Sequence, residues 1–146
     1  MVKKNVLLIK NLNDTINSLN IIKKNGLLKK INVLSSLILK TLNQNKKIMF
    51  CGNGGSASEA SHIAAEFVGR YLKERKEQSA ISLTTDNSII TAIGNDYSFD
   101  EIFSKQVNAI GKTNDILITL STSGKSKNII NALRVAKKQI WKQLIL

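Results

Sequence analysis

The chain opens with two stretches in which apolar residues recur every three or four positions. In residues 5–24 the step is kept by Leu8, Leu12, Ile16 and Leu19, and in residues 27–44 by Leu27, Ile31, Leu34, Ile38 and Leu42. That period gathers side chains on one face of a helix, so two helices are predicted, with Asn25-Gly26 as the break between them. The second carries more than one apolar stripe, because Leu28, Val33, Leu37 and Leu39 fall off the first. So much apolar surface calls for cover, from the same domain or from another subunit.

After residue 46 the pattern changes. Three short apolar runs, "KIMFCG" (47–52), "AISLTT" (80–85) and "DILITLS" (115–121), read as buried strands. Helical patterns fill 56–72, 86–95, 98–111 and 127–139. Asp86 is placed as an N-cap, Ser98 and Glu101 have capping-box spacing, and Gly111 is a terminator. In the last helix Ile129, Ile130, Leu133 and Ala136 are expected to face inward. Strands alternating with helices mean a parallel sheet with right-handed crossovers and both faces covered. No linker or repeat divides the chain. A helical pair over 1–45 leads an α/β domain over 46–146, read together as a single domain.

Composition narrows the class. Hydrophobic residues at 42% and charged residues at 22% suit a globular protein rather than a disordered one. No apolar run reaches the ~18 residues of a membrane span, so no membrane association is expected. The N-terminus lacks a long apolar core and a small-residue cleavage site, so no signal peptide is read. A lone cysteine, Cys51, has no internal disulfide partner, and a cytoplasmic setting follows. The net charge of +12 raises the question of nucleic acid. Residues 1–50 hold ten lysines against one aspartate, whereas residues 51–146 hold 12 Lys/Arg against 9 Asp/Glu. The excess is spread along the leading helices with no recognition motif, so solvated helix faces explain it better than nucleic-acid binding.

Ligands of parallel sheets sit beyond the carboxyl ends of the strands. Two of those ends are unusual. "CGNGGSASEASH" (51–62) is not a dinucleotide fingerprint, since Ala57 stands where a third glycine is needed, and it is not a Walker loop. It does offer a flexible turn leading into a helix N-terminus near Ser56, which favours an anion. "STSGKS" (121–126) sets four hydroxyls, Ser121, Thr122, Ser123 and Ser126, on one strand–helix turn, with Lys125 beside them. Four donors without a negative charge exceed what a helix cap needs and suit a phosphate. A third group is His62 and Glu66, four apart on one helix face. Such a pair can ligate a metal or share proton transfer, and is also a common solvated pair. Asn95 and Asp96 could return to the same rim.

Taken together, "CGNGGSASEASHIAAEFVGRY", "AISLTTDNSIITAIGNDYSFDEIFSKQV" and "STSGKSKNIINAL" resemble the sugar isomerase (SIS) domain family, and within it the phosphoheptose isomerases. The resemblance runs from about Lys46 to Lys138. It implies a three-layer α/β/α sandwich with a parallel sheet, two leading helices and a homotetramer. It implies conversion of sedoheptulose 7-phosphate to D-glycero-D-manno-heptose 7-phosphate, a precursor of lipopolysaccharide. By matching motif, Ser121, Thr122, Ser123 and Ser126 would hold the phosphate. Asn53, Gly54, Gly55, Ser56, Asn95 and Asp96 would meet the sugar. Glu66 would also contact it as general base, and His62 with Glu66 would be the first two ligands of a zinc ion.

After Gln139 the sequence departs from the family pattern, and Lys127 stands where relatives often have proline. The family continues with two more strands and a helix bearing a Gln and a His, whereas this chain has one histidine in all. The expectation is therefore a C-terminally truncated domain with those strands missing, an uncovered sheet edge, an incomplete zinc site and low or absent activity. The alternative function is a non-catalytic SIS module that binds phosphosugars or the replication initiator.

Overall fold

The computed structural model describes residues 2–24, 26–138 and 142–145. The chain clusters into two compact units, Met1–Leu37 and Ile38–Leu146. The first contains α1 (Val2–Lys24) and most of α2 (Leu27–Asn43), as the apolar period predicts. Both helices leave apolar side chains exposed, among them Leu8, Leu12, Leu19, Leu28 and Val33. Asn25 of the predicted break lies outside the described residues.

The second unit alternates strand and helix. Its elements are β1 (Ile48–Gly52), α3 (Gly55–Val68), β2 (Ala80–Ser82), α4 (Asn87–Asp96), α5 (Ile102–Ile110), β3 (Ile116–Leu120), α6 (Lys127–Lys138) and β4 (Lys142–Ile145). A single 3-10 turn, Phe99–Glu101, precedes α5. Among the described residues four strands form one sheet in the order β2-β1-β3-β4, all parallel. Ile48 stands opposite Ala80 on one side and Ile116 on the other.

Every residue of β1 and β3 is buried, as expected of parallel strands covered on both faces. On one face Met49, Cys51 and Leu117 join Ile102, Phe103 and Val107 of α5 and Ile129, Ala132 and Ala136 of α6 in the core. On the other, Phe50 meets Phe67 of α3 with ring centroids 5.7 Å apart. This is the α/β/α sandwich. Asp115 is buried just before β3, where it accepts from the backbone N–H of Lys47 (3.0 Å) and of Lys112 (2.9 Å) and pairs with the Lys47 ammonium. The start of β3 is thereby locked to the start of β1.

Element ends differ from the sequence reading for local reasons. The helix predicted to reach residue 72 stops at Val68, where Gly69 follows and Arg75 donates to the carbonyls of Glu66 and Phe67. The strand predicted over 80–85 ends at Ser82, because Ser82, Thr84 and Thr85 turn the chain with hydroxyl bonds to one another and to the backbone. Asp86 caps α4 as expected, accepting from Ile89 N–H at 3.0 Å. Ser98 caps the 3-10 turn, but Glu101 faces Lys105 rather than closing a capping box. The sheet also extends one strand beyond the reading. Lys142–Ile145 pairs with β3, Ile116 opposite Lys142, so β4 rather than β3 forms that edge. Four mixed residues carry too little periodicity to announce a strand. Gln139, the predicted end of the last helix, lies outside the described residues.

Candidate functional site

Strand order fixes where a site can be. From β1 the chain crosses to β2 on one side, and from β3 to β4 on the other. The carboxyl ends of β1 and β3 are thus adjacent strands whose connections diverge, and divergence opens a crevice. Both polar loops end there.

The first loop is shaped by close packing. A Cβ at Gly52 would lie 2.5 Å from the backbone oxygen of Ser56, so only glycine lets α3 begin this close to the strand end. Gly54 has φ 55 and ψ −124, a conformation side chains disfavour, and it places Gly55 at the helix start. Gly54 and Gly55 are exposed at the helix's positive end. The second loop leads from β3 into α6. Ser121 Oγ accepts from Gly124 N–H (3.1 Å) and Ser123 Oγ from Lys125 N–H (3.2 Å). Both hydroxyls act only as acceptors in these bonds, so each keeps its proton to donate. Thr122 is exposed, and Ser126 opens α6 by accepting from Ile130 N–H at 3.0 Å. Lys125 is exposed, and Lys127 reaches Asp100 at 3.7 Å.

The two loops meet. A cleft of about 380 Å³ is lined by Ser56, Glu59 and Ile63 of α3 and by Leu120, Ser121 and Thr122 at the end of β3. Asn53 and Asn128 exchange two hydrogen bonds across the same junction, at 3.0 and 2.9 Å. Along α3 the steps from Ser56 to Glu59, Ile63 and Glu66 are three, four and three residues, which keeps Glu66 on the cleft side. His62 Nε2 lies 3.3 Å from Glu66 Oε1, with the imidazole largely exposed and the carboxylate about a third exposed. A hydroxyl cluster fixes this helix to the end of β2. Ser61 Oγ lies 2.9 Å from Thr84 Oγ1 and 3.3 Å from Ser82 Oγ, and Thr84 donates to Ala57 O at 3.1 Å.

Of the residues expected at the site, Ser56, Ser121 and Thr122 line this cleft; Asn53, Gly54, Gly55, His62, Glu66, Ser123 and Ser126 lie outside its lining, and so do Asn95 and Asp96. They end α4, exposed, with Asn95 Nδ2 donating to Asp96 Oδ1 at 2.9 Å. Cys51, in β1 next to the first loop, is fully buried, and burial pushes its thiol from 9.0 up to about 12. It stays protonated and supplies neither a nucleophile nor a metal thiolate. Among the described residues no third His, Cys, Asp or Glu converges on His62 and Glu66.

Three residues here escaped the sequence reading. Asn128 and Glu59 sit on helices, where Asn and Glu usually face water. Ser61 was hidden within a run of small residues. The only available signal was helical spacing, which sets Glu59 one turn beyond Ser56.

A profile of the SIS domain matches residues 12–142. A phosphoheptose isomerase of Thermodesulfovibrio yellowstonii is 53% identical over 114 residues, covering 78% of this chain and 57% of that protein. One from Nitratidesulfovibrio vulgaris is 56% identical over 99 residues, covering 68% and 48%. The chain thus spans about half the length of the curated relatives it matches. Among solved structures, the phosphoheptose isomerase GmhA from Neisseria gonorrhoeae superposes with a TM-score of 0.87 at 38% identity, covering 99% of this chain and 74% of that one. A phosphoheptose isomerase from Francisella tularensis gives 0.74 at 32%, covering 90% and 74%.

Proposed function

Because the chain belongs to the SIS domain family, we propose that its cleft binds a phosphorylated seven-carbon sugar and serves the aldose–ketose isomerisation of sedoheptulose 7-phosphate to D-glycero-D-manno-heptose 7-phosphate. The observation that carries the reading is the cleft at the diverging strand ends, where Ser56 meets Ser121 and Thr122; helical spacing sets Glu66 two turns beyond Glu59 on the same side of α3. The relatives' names favour this over a non-catalytic module.

The proposed chemistry divides along α3. The phosphate takes hydrogen bonds from Ser121, Thr122, Ser123 and Ser126 and from the backbone at Gly54 and Gly55. Charge-assisted bonds of this kind contribute about 1.5–3 kcal/mol each. That anchorage holds the far end of the open-chain sugar near Glu66. Glu66 takes a proton from the hydroxyl-bearing carbon beside the carbonyl; the electron pair forms a carbon–carbon double bond, and the carbonyl oxygen takes a proton from water to give an enediol. The Glu66 carboxyl then returns its proton to the former carbonyl carbon while the other hydroxyl releases its proton to water and becomes the new carbonyl. Asn95 and Asp96 are assigned to the sugar by family resemblance alone.

We assign His62 and Glu66 as two donors toward a zinc ion. Their 3.3 Å separation suits neighbouring ligands, but a catalytic zinc usually has three protein ligands, and the described residues supply these two. The pair does not complete a zinc site, and no step above depends on the metal. Sugar-phosphate chemistry accords with a cytoplasmic location. Among the described residues no helix is long and apolar enough to cross a membrane. The exposed apolar side chains of α1 and α2 favour a homo-oligomer, as a tetramer by family resemblance.

The test is exchange of the substrate's carbon-bound hydrogen in D2O, read by mass spectrometry. It detects proton abstraction even where net turnover is slow. Sedoheptulose 7-phosphate is expected to gain one deuterium in the presence of the chain, with Glu66→Gln slowing uptake about 100-fold or more. Equal uptake by the variant would remove Glu66 as the base.

A further inference from the structure

Asn128 is 2% exposed, in the first turn of α6. A buried amide at that depth requires partners. It has them on two sides. Its Nδ2 donates to Asn53 Oδ1 at 2.9 Å, and its Oδ1 accepts from Asn53 Nδ2 at 3.0 Å. The same Oδ1 accepts from the backbone N–H of Ile129 at 2.9 Å, meeting one of the free amides that begin a helix. The reciprocal pair joins the turn after β1 to the helix after β3, a sequence separation of 75 residues. It therefore bridges the two loops whose spacing defines the cleft.

We propose that Asn128 is a positioning residue, and that the Asn53–Asn128 amide pair is a latch that sets the distance and tilt of the Gly52–Gly55 turn relative to the serine loop. The inference rests on the sugar-phosphate reading above and deepens it. The latch gives Asn53 a job beside the one family resemblance implies. One amide hydrogen and one lone pair of its side chain go to Asn128, and through that pair it holds the loop. The physical case is pre-organisation. Gly54 and Gly55 are exposed, and glycine gives up the most conformational freedom on being ordered, so a further tether lowers the cost of ordering their turn. An anion that must first order the turn binds less tightly than one meeting a turn already held.

The test is a double-mutant cycle on the full chain with two readouts. Calorimetry measures sedoheptulose 7-phosphate binding to Asn128→Ala, Asn53→Ala and the double variant. Hydrogen exchange measures protection of the amides of residues 53–57. We expect each single variant to weaken binding about tenfold, and the double variant no further, because both remove one device. Exchange at 53–57 should quicken in Asn128→Ala while β1 and β3 keep their protection. Independent losses that multiply in the double variant would overturn the latch, as would Asn128→Ala binding like the unmodified chain. Should Asn128→Ala speed exchange everywhere, Asn128→Ser replaces it. The serine keeps a small polar group near Ile129 and cannot span to Asn53. If the unmodified chain fails to bind the sugar phosphate, the functional reading falls. Exchange then judges the latch alone, and unchanged rates at 53–57 would reject it.

Discussion

Cys51 and Ser121 belong to neighbouring strand ends and have opposite chemistry. Cys51 lies within β1, and burial holds its thiol at about 12. Unfolding restores the ordinary 9.0, so the unfolded chain loses that proton first as pH rises. The contribution to stability is full below pH 9 and declines between 9 and 12. At pH 8 a thiol reagent should therefore label Cys51 no faster than the protein opens, and labelling should become rapid in denaturant. Fast stoichiometric labelling of the folded chain would contradict the burial argument. Ser121 lies just past β3, with its hydroxyl proton still available for a ligand. The serine cluster was legible in the sequence because four hydroxyls on one turn exceed any capping need. Asn128 was not, because its importance comes from a partner 75 residues away, and no local pattern encodes that distance.

Among the elements, α3 carries the most. It begins against Gly52, bears Ser56 and Glu59 on the cleft, and bears His62 and Glu66 two turns later. Gly52→Ala should push its first turn away, since the new Cβ would meet the Ser56 backbone oxygen and carbon at 2.5 and 2.6 Å, and backbone cannot swing aside as a side chain can. A cost of about 1–3 kcal/mol is expected, with a lowered Tm and a marked loss of phosphate binding. An unchanged melting curve together with intact binding would contradict this packing. The strands and helices of residues 46–138 were largely legible because buried parallel strands and amphipathic helices have distinct periods. Their ends were not. Val68 ends α3 because Arg75 folds back on its carbonyls, and Ser82 ends β2 because hydroxyls divert the backbone. β4 was missed for lack of length, and it extends the sheet past the edge the sequence predicted.

At the scale of the whole molecule, apolar exposure on the leading helices is the conspicuous feature. Leu8, Leu12, Leu19, Val33 and Leu39 are each at least 60% exposed in the single chain. So many large apolar side chains left open on two helices call for cover. Sedimentation is expected to give a multiple of 16.1 kDa, and Leu12→Lys with Val33→Glu should shift the chain toward the monomer. A monomer at all concentrations would show that the surface serves something else. The sheet also offers two ends for an anion. One is the crevice after β1 and β3, whose lining includes Ser56, Ser121 and Thr122. The other is a polar cleft before β1 and β2, lined by residues that include Lys46 and Lys76. The basic chain can attract phosphate to either, and the proposed function requires the first. The most direct measurement is an amide NMR titration of the chain with sedoheptulose 7-phosphate. The account predicts saturable shifts at Gly54–Ser56 and Ser121–Lys127; shifts confined to the neighbourhood of Lys46 and Lys76, or none at all, would contradict it.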